Sequence, residues 1–557
     1  MARRLKSGEE QPENKVGRNN PPVRILSWFM ISETRLGGGK LFLYGTFAGA
    51  IAGLVMTTVM LLLASFFDVA TPLVLMGDRI SAWLPVGPFL SLMGKVGGYN
   101  HMKELGVSSV IIGQIIFGAL GVWIYAVIAD RKELTLEARR RFAAALFILL
   151  PLLVCTAVLW PVLGTHYAGL PSIPATLVTL VGLLISFVAF EETAVRAYAY
   201  LASPREQSSL VSDEFTPPVG RRAFVLGGIG GLFALGSVGM LRRFYKLSAL
   251  GYDGTMYRGK EVQGITPNDK FYCVTKNVID PKVNPKLWRL EICGMVENKR
   301  TYSLDEIKAL PPITQETTLM CISNEVGAGL MSNAMWKGVT LRSLLEASKA
   351  DPNGKKVLLH GVDNYTDTFP LEKAMDPTTL VVYEMNGEPL PDRHGAPARM
   401  IVPGYFGEKH VKWVTRIEVT DADAEGFYEK QGWGPDFIVP TRSRFDQPDD
   451  NAKLSLGQMP DGVPLKGIAF AGDRGVTRVE VSSDDGKTWT EAKIDYPGTK
   501  LTWVLWSYLW KPERPGDYKL VVRATDGEGE LQEFDGERNQ YSGRTGLHKI
   551  TAHVLAA

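Results

Sequence analysis

The chain has 557 residues, with 61 Lys and Arg against 59 Asp and Glu, a net charge of +2. That length exceeds what one hydrophobic core fills, and that charge balance leaves no electrostatic footprint for nucleic acid. Four cysteines exclude a dense disulfide framework.

Residues 1–40 form a basic N-terminal tail whose first 22 residues read as disordered. Residues 41–66, LFLYGTFAGAIAGLVMTTVMLLLASF, carry no charge and exceed the ~20 residues that span a bilayer. Similar runs at about 107–129, 142–163 and 169–190 complete a four-helix transmembrane region over 41–190. A fifth, glycine-rich run covers 223–240 and reads as a signal-anchor.

Lys and Arg in the flanks set orientation. Residues 1–40 carry eight of them, and the 130–141 and 191–222 loops are also basic, whereas 67–106 has three and 164–168 none. This places the N-terminus in the cytoplasm and everything after 240 outside the plasma membrane of a bacterium. Arg242, Arg243 and Lys246 run against the rule. No histidine falls in a span, which disfavours a membrane cytochrome b. The spans lack central charges, which disfavours a charge-relay pump.

Gly220-Arg221-Arg222-Ala223-Phe224 opens the fifth run, at the end of the 191–222 loop. Two arginines mark the cytoplasmic end of a helix; they also resemble an internal twin-arginine export signal, a route for folded proteins.

From about 255 the pattern changes to short β-rich runs between Gly, Pro, Asn and Asp. FYCVTKN (271–277) and LWRLEICG (287–294) read as strands; Cys273 and Cys293 on them are two buried thiols, or a pair if the strands are neighbours. SLDEIKAL (303–310) reads as a short helix opened by a capping box, and LRSLLEASK (341–349) as a second helix. A boundary falls near 445. Beyond it, over 446–557, alternation about an Asp-Gly turn suggests a β-sandwich of immunoglobulin type.

Cys321 is the one cysteine on a polar loop, in LMCISNEVG (319–327). Its bland reading is a small buried side chain; its sharp reading is a thiolate holding a metal. The Cys-x-x-Asn turn at Cys321–Asn324 is followed by Trp336-Lys337-Gly338-Val339, then MNGEPLP (385–391), then His394-Gly-Ala-Pro-Ala-Arg399, then Pro403-Gly-Tyr-x-Gly running into His410-Val411-Lys412-Trp413. These pieces, in this order, resemble the sulfite oxidase superfamily of molybdopterin oxidoreductases, in the spacing of bacterial membrane-anchored members of unassigned substrate. The resemblance covers 255–557 and no part of the first four spans. It implies an α+β molybdopterin domain over 255–445 and a dimerisation-type sandwich, hence a homodimer.

By that resemblance the cofactor is molybdenum–molybdopterin and Cys321 is the protein's ligand to the metal. Arg399, Lys412, His410 and the backbone of Val411 would hold the pterin phosphate. His394 and Asp363 are candidates for the pterin ring edge, and Asn277 and Asn324 would bracket the metal. Taken singly, Asn277 and Asp363 read as well as turn-stabilising side chains. The family implies a two-electron oxo transfer on a small substrate.

The sequence departs from sulfite oxidation. The arginines that surround sulfite in the family correspond here to Lys276 and to the region of Glu325 and Val326. A carboxylate facing an anion at 4 Å repels it by ~4 kcal/mol at an effective dielectric of about 20. An S-oxide or N-oxide suits Glu325 better than sulfite does. The chain has no haem-attachment, iron–sulfur or flavin motif, so electrons pass to a cytochrome or a quinone-linked protein. The competing class is a membrane-anchored binding or sensing protein whose sulfite-oxidase-like domain is catalytically silent.

Overall fold

The computed structural model describes residues 36–556, apart from 82, 133, 166, 204–220, 456, 458–460, 535–537 and 539. The tail up to residue 35, His166 and Gly220 of the twin-arginine motif therefore lie outside the described residues. In chain order the first half contains helices α1 (Gly38–Phe67), α2 (Pro72–Ser81), α3 (Val86–Val96), α4 (Tyr99–Arg131), α5 (Leu136–Leu159), α6 (Ser172–Ala202) and α7 (Arg221–Leu247). All except α2 and α3 are long and apolar enough to cross a membrane.

Helix α1 packs against α4, α6 and α7. Gly45, Gly49 and Gly53 fall every fourth residue and so share one face. A Cβ at Gly49 would lie 2.3 Å from the Gly118 carbonyl oxygen of α4, and one at Gly45 would lie 2.6 Å from Trp123 Cα. Only glycine permits that backbone approach, which in an apolar solvent is what drives helix association. Thr57 continues the seam, donating to Gln114 Oε1 at 3.1 Å.

Helices overrun the apolar runs that announce them: α5 starts at Leu136 rather than near 142, and α6 continues to Ala202 rather than ending near 190. Helix α4 starts at Tyr99 rather than near 107, and α7 continues to Leu247, carrying Arg242, Arg243 and Lys246 with it. Arg222 at the start of α7 donates to the carbonyls of Tyr200 and Ser203, capping the C-terminus of α6.

The second half of the chain opens with two five-stranded sheets. One joins Ile313–Met320, Met331–Thr340, Leu380–Met385 and Glu388–Pro389, with Arg399–Ile401 also paired to Leu380–Met385. The other runs Arg300–Ser303, Arg289–Gly294, Val414–Thr420, Lys356–Gly361, Thr366–Pro370. Trp288, Leu359, Val381, Met400 and Val414 fill a shared core. The capping box forms as read: Ser303 Oγ accepts from the Glu306 amide and the Glu306 carboxylate accepts from the Ser303 amide.

Residues 271–277 do not form the strand expected. Cys273 makes only an isolated bridge to Thr255, because Thr275 and Asn277 turn their backbone groups toward Asp253 and Lys103 instead of a neighbouring strand. Cys273 and Cys293 are separate buried thiols.

The C-terminal part packs two sheets face to face. The first holds Arg442–Gln447, Val463–Phe470, Val504–Trp510 and Lys493–Tyr496; the second holds Ala452–Ser455, His548–Leu555, Gly516–Asp526, Val476–Ser482 and Thr490–Glu491. Leu465, Val479, Trp506, Leu520 and Ala552 lie in the core they share.

The two halves are in contact. Tyr167–Ala168, between α5 and α6, pairs in parallel with Lys282–Val283. Val278 joins the same apolar core as Leu73 and Val74 of α2. These contacts come from the 67–106 and 164–168 loops, the two that the basic-residue pattern assigns to one side.

Candidate active site

Cys321 leaves the end of Ile313–Met320 and enters a tight loop. Its amide donates to the Leu330 carbonyl at 3.0 Å, and its carbonyl accepts from the Asn324 amide at 3.0 Å. Asn324 Oδ1 closes the loop by accepting from the Leu330 amide at 2.8 Å. The Cys321 sulfur lies 3.1 Å from Ser323 Oγ. Burial, helped by the nearby Glu408, pushes the thiol up to about 11, so without a cation it stays protonated.

A cavity of about 400 Å³ starts at this sulfur. Its wall includes Lys276, Glu325, Asp363, His394, Arg399, His410, Val411 and Lys412. The candidates scattered over the sequence therefore converge, with two exceptions. Asn277 and Asn324 are buried behind the wall: Asn277 Nδ2 bonds the carboxylates of Asp280 and Asp363 at 3.1 and 3.0 Å, and Asn324 holds its own loop. Asn277 is engaged by two carboxylates and Asn324 by the backbone of its own loop, and neither lines the cavity.

Arg399 is the centre of the cationic end. Its guanidinium donates to the carbonyls of His394 and His410, each at 3.1 Å, and lies over the Trp336 ring. Trp336 pairs with Gln315 on the strand that leads into Cys321. Burial pulls Arg399 down to about 10, which leaves it cationic at neutral pH. Lys412 donates to the Arg393 carbonyl at 3.2 Å, and Arg393 donates to the Asn268 carbonyl at 3.0 Å. Among the described residues none of these three cations has a carboxylate partner. Arg399 is buried and Arg393 and Lys412 are partly buried, so the cluster offers charge to an anion entering the cavity.

His410 does not fit the phosphate role expected of it. Its Nδ1 accepts from the Val402 amide and its Nε2 donates to the Tyr405 carbonyl, both at 3.2 Å. Burial and Arg399 hold it down to about 3, so it is neutral and acts as a brace for the loop. His394, also near 3 for the same reasons, bonds the Asn268 carbonyl through Nε2 at 3.0 Å and leaves Nδ1 for a ring-edge donor. Val411 presents its backbone on the wall while its carbonyl accepts from Met400.

The charges near the thiol end are matched within the chain. Lys276 Nζ lies 3.7 Å from both Asp78 and Asp363 and donates to Asn277 Oδ1 and the Asp363 carbonyl. Asp363 also accepts from the Tyr365 amide, so its carboxylate braces a turn. Glu325 is exposed at the rim and pairs with Arg544 at 3.1 Å. The repulsion assigned to Glu325 from sequence is therefore largely cancelled by a residue 219 positions away.

Three contributors were not singled out from sequence. Arg393 sits one residue before a quoted motif. Glu408 sits inside another, in the turn Gly407–Lys409. A Cβ on Gly407 would lie 3.7 Å from Cys321 Cα, which puts this turn over the thiol loop. Both Glu408 carboxylate oxygens are buried without a hydrogen-bond partner among the described residues. The third contributor is the N-terminal helical half: Phe89, Leu90, Met93, Gly98 and Tyr99 line the cavity.

Among the described residues no three His, Cys, Asp or Glu converge to hold an ion unaided. A metal at Cys321 must bring its other ligands with it. A dithiolene cofactor with a phosphate tail meets that requirement, and the cavity volume, the unmatched cations and the buried sulfur fit it.

Comparison with known proteins agrees. Residues 277–428 match the family model of the oxidoreductase molybdopterin-binding domain, and 437–541 match that of the Mo-co oxidoreductase dimerisation domain. The chain is 31% identical over 319 residues to mitochondrial sulfite oxidase of Drosophila melanogaster, covering 48% of this chain and 55% of that protein. It is 29% identical over 306 residues to NADH nitrate reductase 2 of Phaseolus vulgaris, covering 44% of this chain and 34% of that one. Among solved structures, the sulfane dehydrogenase SoxCD of Paracoccus pantotrophus aligns with a TM-score of 0.48 at 24% identity, over 54% of this chain and 85% of that one. The chain spans about half the length of the sulfite oxidases it matches.

Proposed function

From the membership of this chain in the sulfite oxidase superfamily of molybdopterin-dependent oxidoreductases, we propose that it is a membrane-anchored, extracytoplasmic oxo-transfer enzyme acting on a small uncharged S-oxide or N-oxide. One observation carries the reading: a single cavity joins the Cys321 sulfur to Arg393, Arg399 and Lys412, cations without a carboxylate partner among the described residues.

When bound, the cofactor supplies a two-electron metal couple and an exchangeable oxygen. The chain does the rest. Cys321 anchors the metal, Arg399 and Lys412 hold the phosphate, and His394 offers Nδ1 to the pterin edge. Glu408, beside the thiol loop, holds a proton near the reacting end. Reducing a sulfoxide to its sulfide breaks the sulfur–oxygen bond, takes up two electrons and two protons, and releases the oxygen as one water. A proton-bearing carboxyl there therefore has a use.

The charge pattern at the thiol end argues against sulfite. Lys276 is flanked by Asp78 and Asp363, and Arg544 by Glu325. A dianion would find Lys276 already set between two carboxylates and Arg544 already paired, with no cation there left among the described residues to offset its charge. A neutral oxide meets no such barrier.

Topology and assembly belong to the same reading. The loops that touch the outer half are the basic-poor ones, which supports an extracytoplasmic catalytic domain. The cofactor is assembled in the cytoplasm in this family, so a folded-export signal at Arg221-Arg222 suits a domain outside. The C-terminal sandwich, of immunoglobulin type in this reading, forms a homodimer, and a cytochrome or quinone-linked protein exchanges electrons with the metal.

Metal analysis tests the core of the proposal. Purified full-length protein is expected to hold about one molybdenum per chain and to reduce S-oxides or N-oxides with two equivalents of reduced viologen. Protein made in cells with intact cofactor synthesis that contains no molybdenum would instead be a silent binding domain.

A further inference from the structure

The two family models match residues 277–428 and 437–541, beyond the first four spans, and one helix suffices as an anchor. Yet the membrane half enters the cavity. Phe89, Leu90 and Met93 of α3, with Gly98 and Tyr99 at the head of α4, line the same space as Cys321.

This wall is held firmly. Val86 and Leu90 of α3 pack into one apolar cluster with Met320 and Ile322, the residues on either side of Cys321, and with Trp433. Phe89 and Tyr99 meet edge to face at 5.7 Å. Lys103, one turn further along α4, reaches Asp253 at 2.5 Å and the carbonyls of Thr275 and Asn277 at 2.7 and 2.9 Å, all buried. Asp78 of α2 lies beside Lys276 in the same buried layer. Such pairs are geometrically demanding and fix one relative placement.

The wall is also chemically distinct. Its five residues bear no charge, and Leu90 among them shares an apolar cluster with Ile322, Tyr428 and Trp433. We infer that the membrane half completes the catalytic pocket: α3 and Tyr99 form the specificity-determining wall on the substrate side, and it selects oxides with an apolar substituent. This rests on the oxo-transfer reading and names its substrate class. The anchor and the pocket are then one device, which explains why more than one helix is present.

The test uses the full chain in detergent with dimethyl, methyl propyl and methyl phenyl sulfoxide, and two equivalents of reduced viologen as donor. Wild type is expected to favour the larger sulfoxides in kcat/KM. Phe89→Ala and Met93→Ala are expected to cut that preference by about tenfold or more, acting on KM, with molybdenum content unchanged. Met93→Trp, which fills rather than empties the wall, is expected to reverse the order and exclude methyl phenyl sulfoxide. A readout without turnover comes from Met93→Cys: methyl phenyl sulfoxide is expected to slow its alkylation by maleimide. Unchanged preference in all three turnover variants, with no protection of the introduced cysteine, overturns the inference alone. A molybdenum-loaded wild type that reduces no oxide overturns the oxo-transfer reading beneath it.

Discussion

At the scale of single residues, chemistry is set by what each side chain already has as a partner. The one polar partner of the Cys321 sulfur among the described residues is Ser323, so it is available to a soft metal. Cys321→Ser replaces that ligand with a harder one, and turnover per chain is expected to fall by at least about 100-fold together with loss of molybdenum; a serine variant with full metal and full turnover rules out the ligand assignment. The Glu408 carboxyl has no hydrogen-bond partner among the described residues. Burial, then the neighbouring Asp367, pushes it from 4.5 up to about 8. Between those values the folded chain keeps a proton that the unfolded chain has released. Stability of the cofactor-free protein therefore falls as pH rises from about 4.5 to about 8, by about 1.4 kcal/mol per pH unit from this group. Glu408→Gln has no such proton, so its unfolding midpoint should gain on wild type across that window and level off above it. A constant gap between pH 5 and pH 9 contradicts this. That Cys321, Arg399 and Lys412 stand out was legible from the motifs that hold them, and the structure brings all three to one cavity. The role of His410 was not legible, since a sequence cannot show that two backbone groups occupy its ring.

At the scale of elements, helices were read from apolar runs and their ends from caps. The capping box at Ser303–Glu306 was readable because donor and acceptor lie three residues apart. The start of α4 was not. Lys103 and Glu104 look like the aqueous flank of a span, yet Lys103 is buried against Asp253. Removing this cation leaves a buried carboxylate without compensation, so Lys103→Met is expected to destabilise the protein by about 3–5 kcal/mol, measured by thermal unfolding in detergent. The seam of α1 makes a second prediction. Gly49→Leu drives a side chain into the Gly118 carbonyl, and the variant is expected to fail to accumulate in the membrane, whereas Gly39→Leu, with open space around it, accumulates normally. Equal accumulation of the two contradicts the close-approach account. The strand expected over 271–277 shows the opposite error. Its alternation is suited to a sheet, but its polar groups find partners in Asp253 and Lys103 first.

At the scale of the whole molecule, export and anchoring are one question. Arg222 caps α6 whatever else it does, so Arg221→Lys is the cleaner probe of the twin-arginine reading. That variant is expected to leave the catalytic domain on the cytoplasmic side, scored by protease access in spheroplasts; correct placement refutes the export reading. The sequence by itself determined where five helices long and apolar enough to cross a membrane lie, the change of texture near 255, the sandwich-like alternation after 446 and the cysteine most worth watching. Those properties are local: length, period and residue type within a few turns of chain. Only the tertiary structure decided that Glu325 is matched by Arg544, that Lys276 is matched by Asp78, and that α3 walls the cavity. Each of those joins residues from different units of the chain, and burial, not sequence distance, fixes which charges are left to meet a ligand.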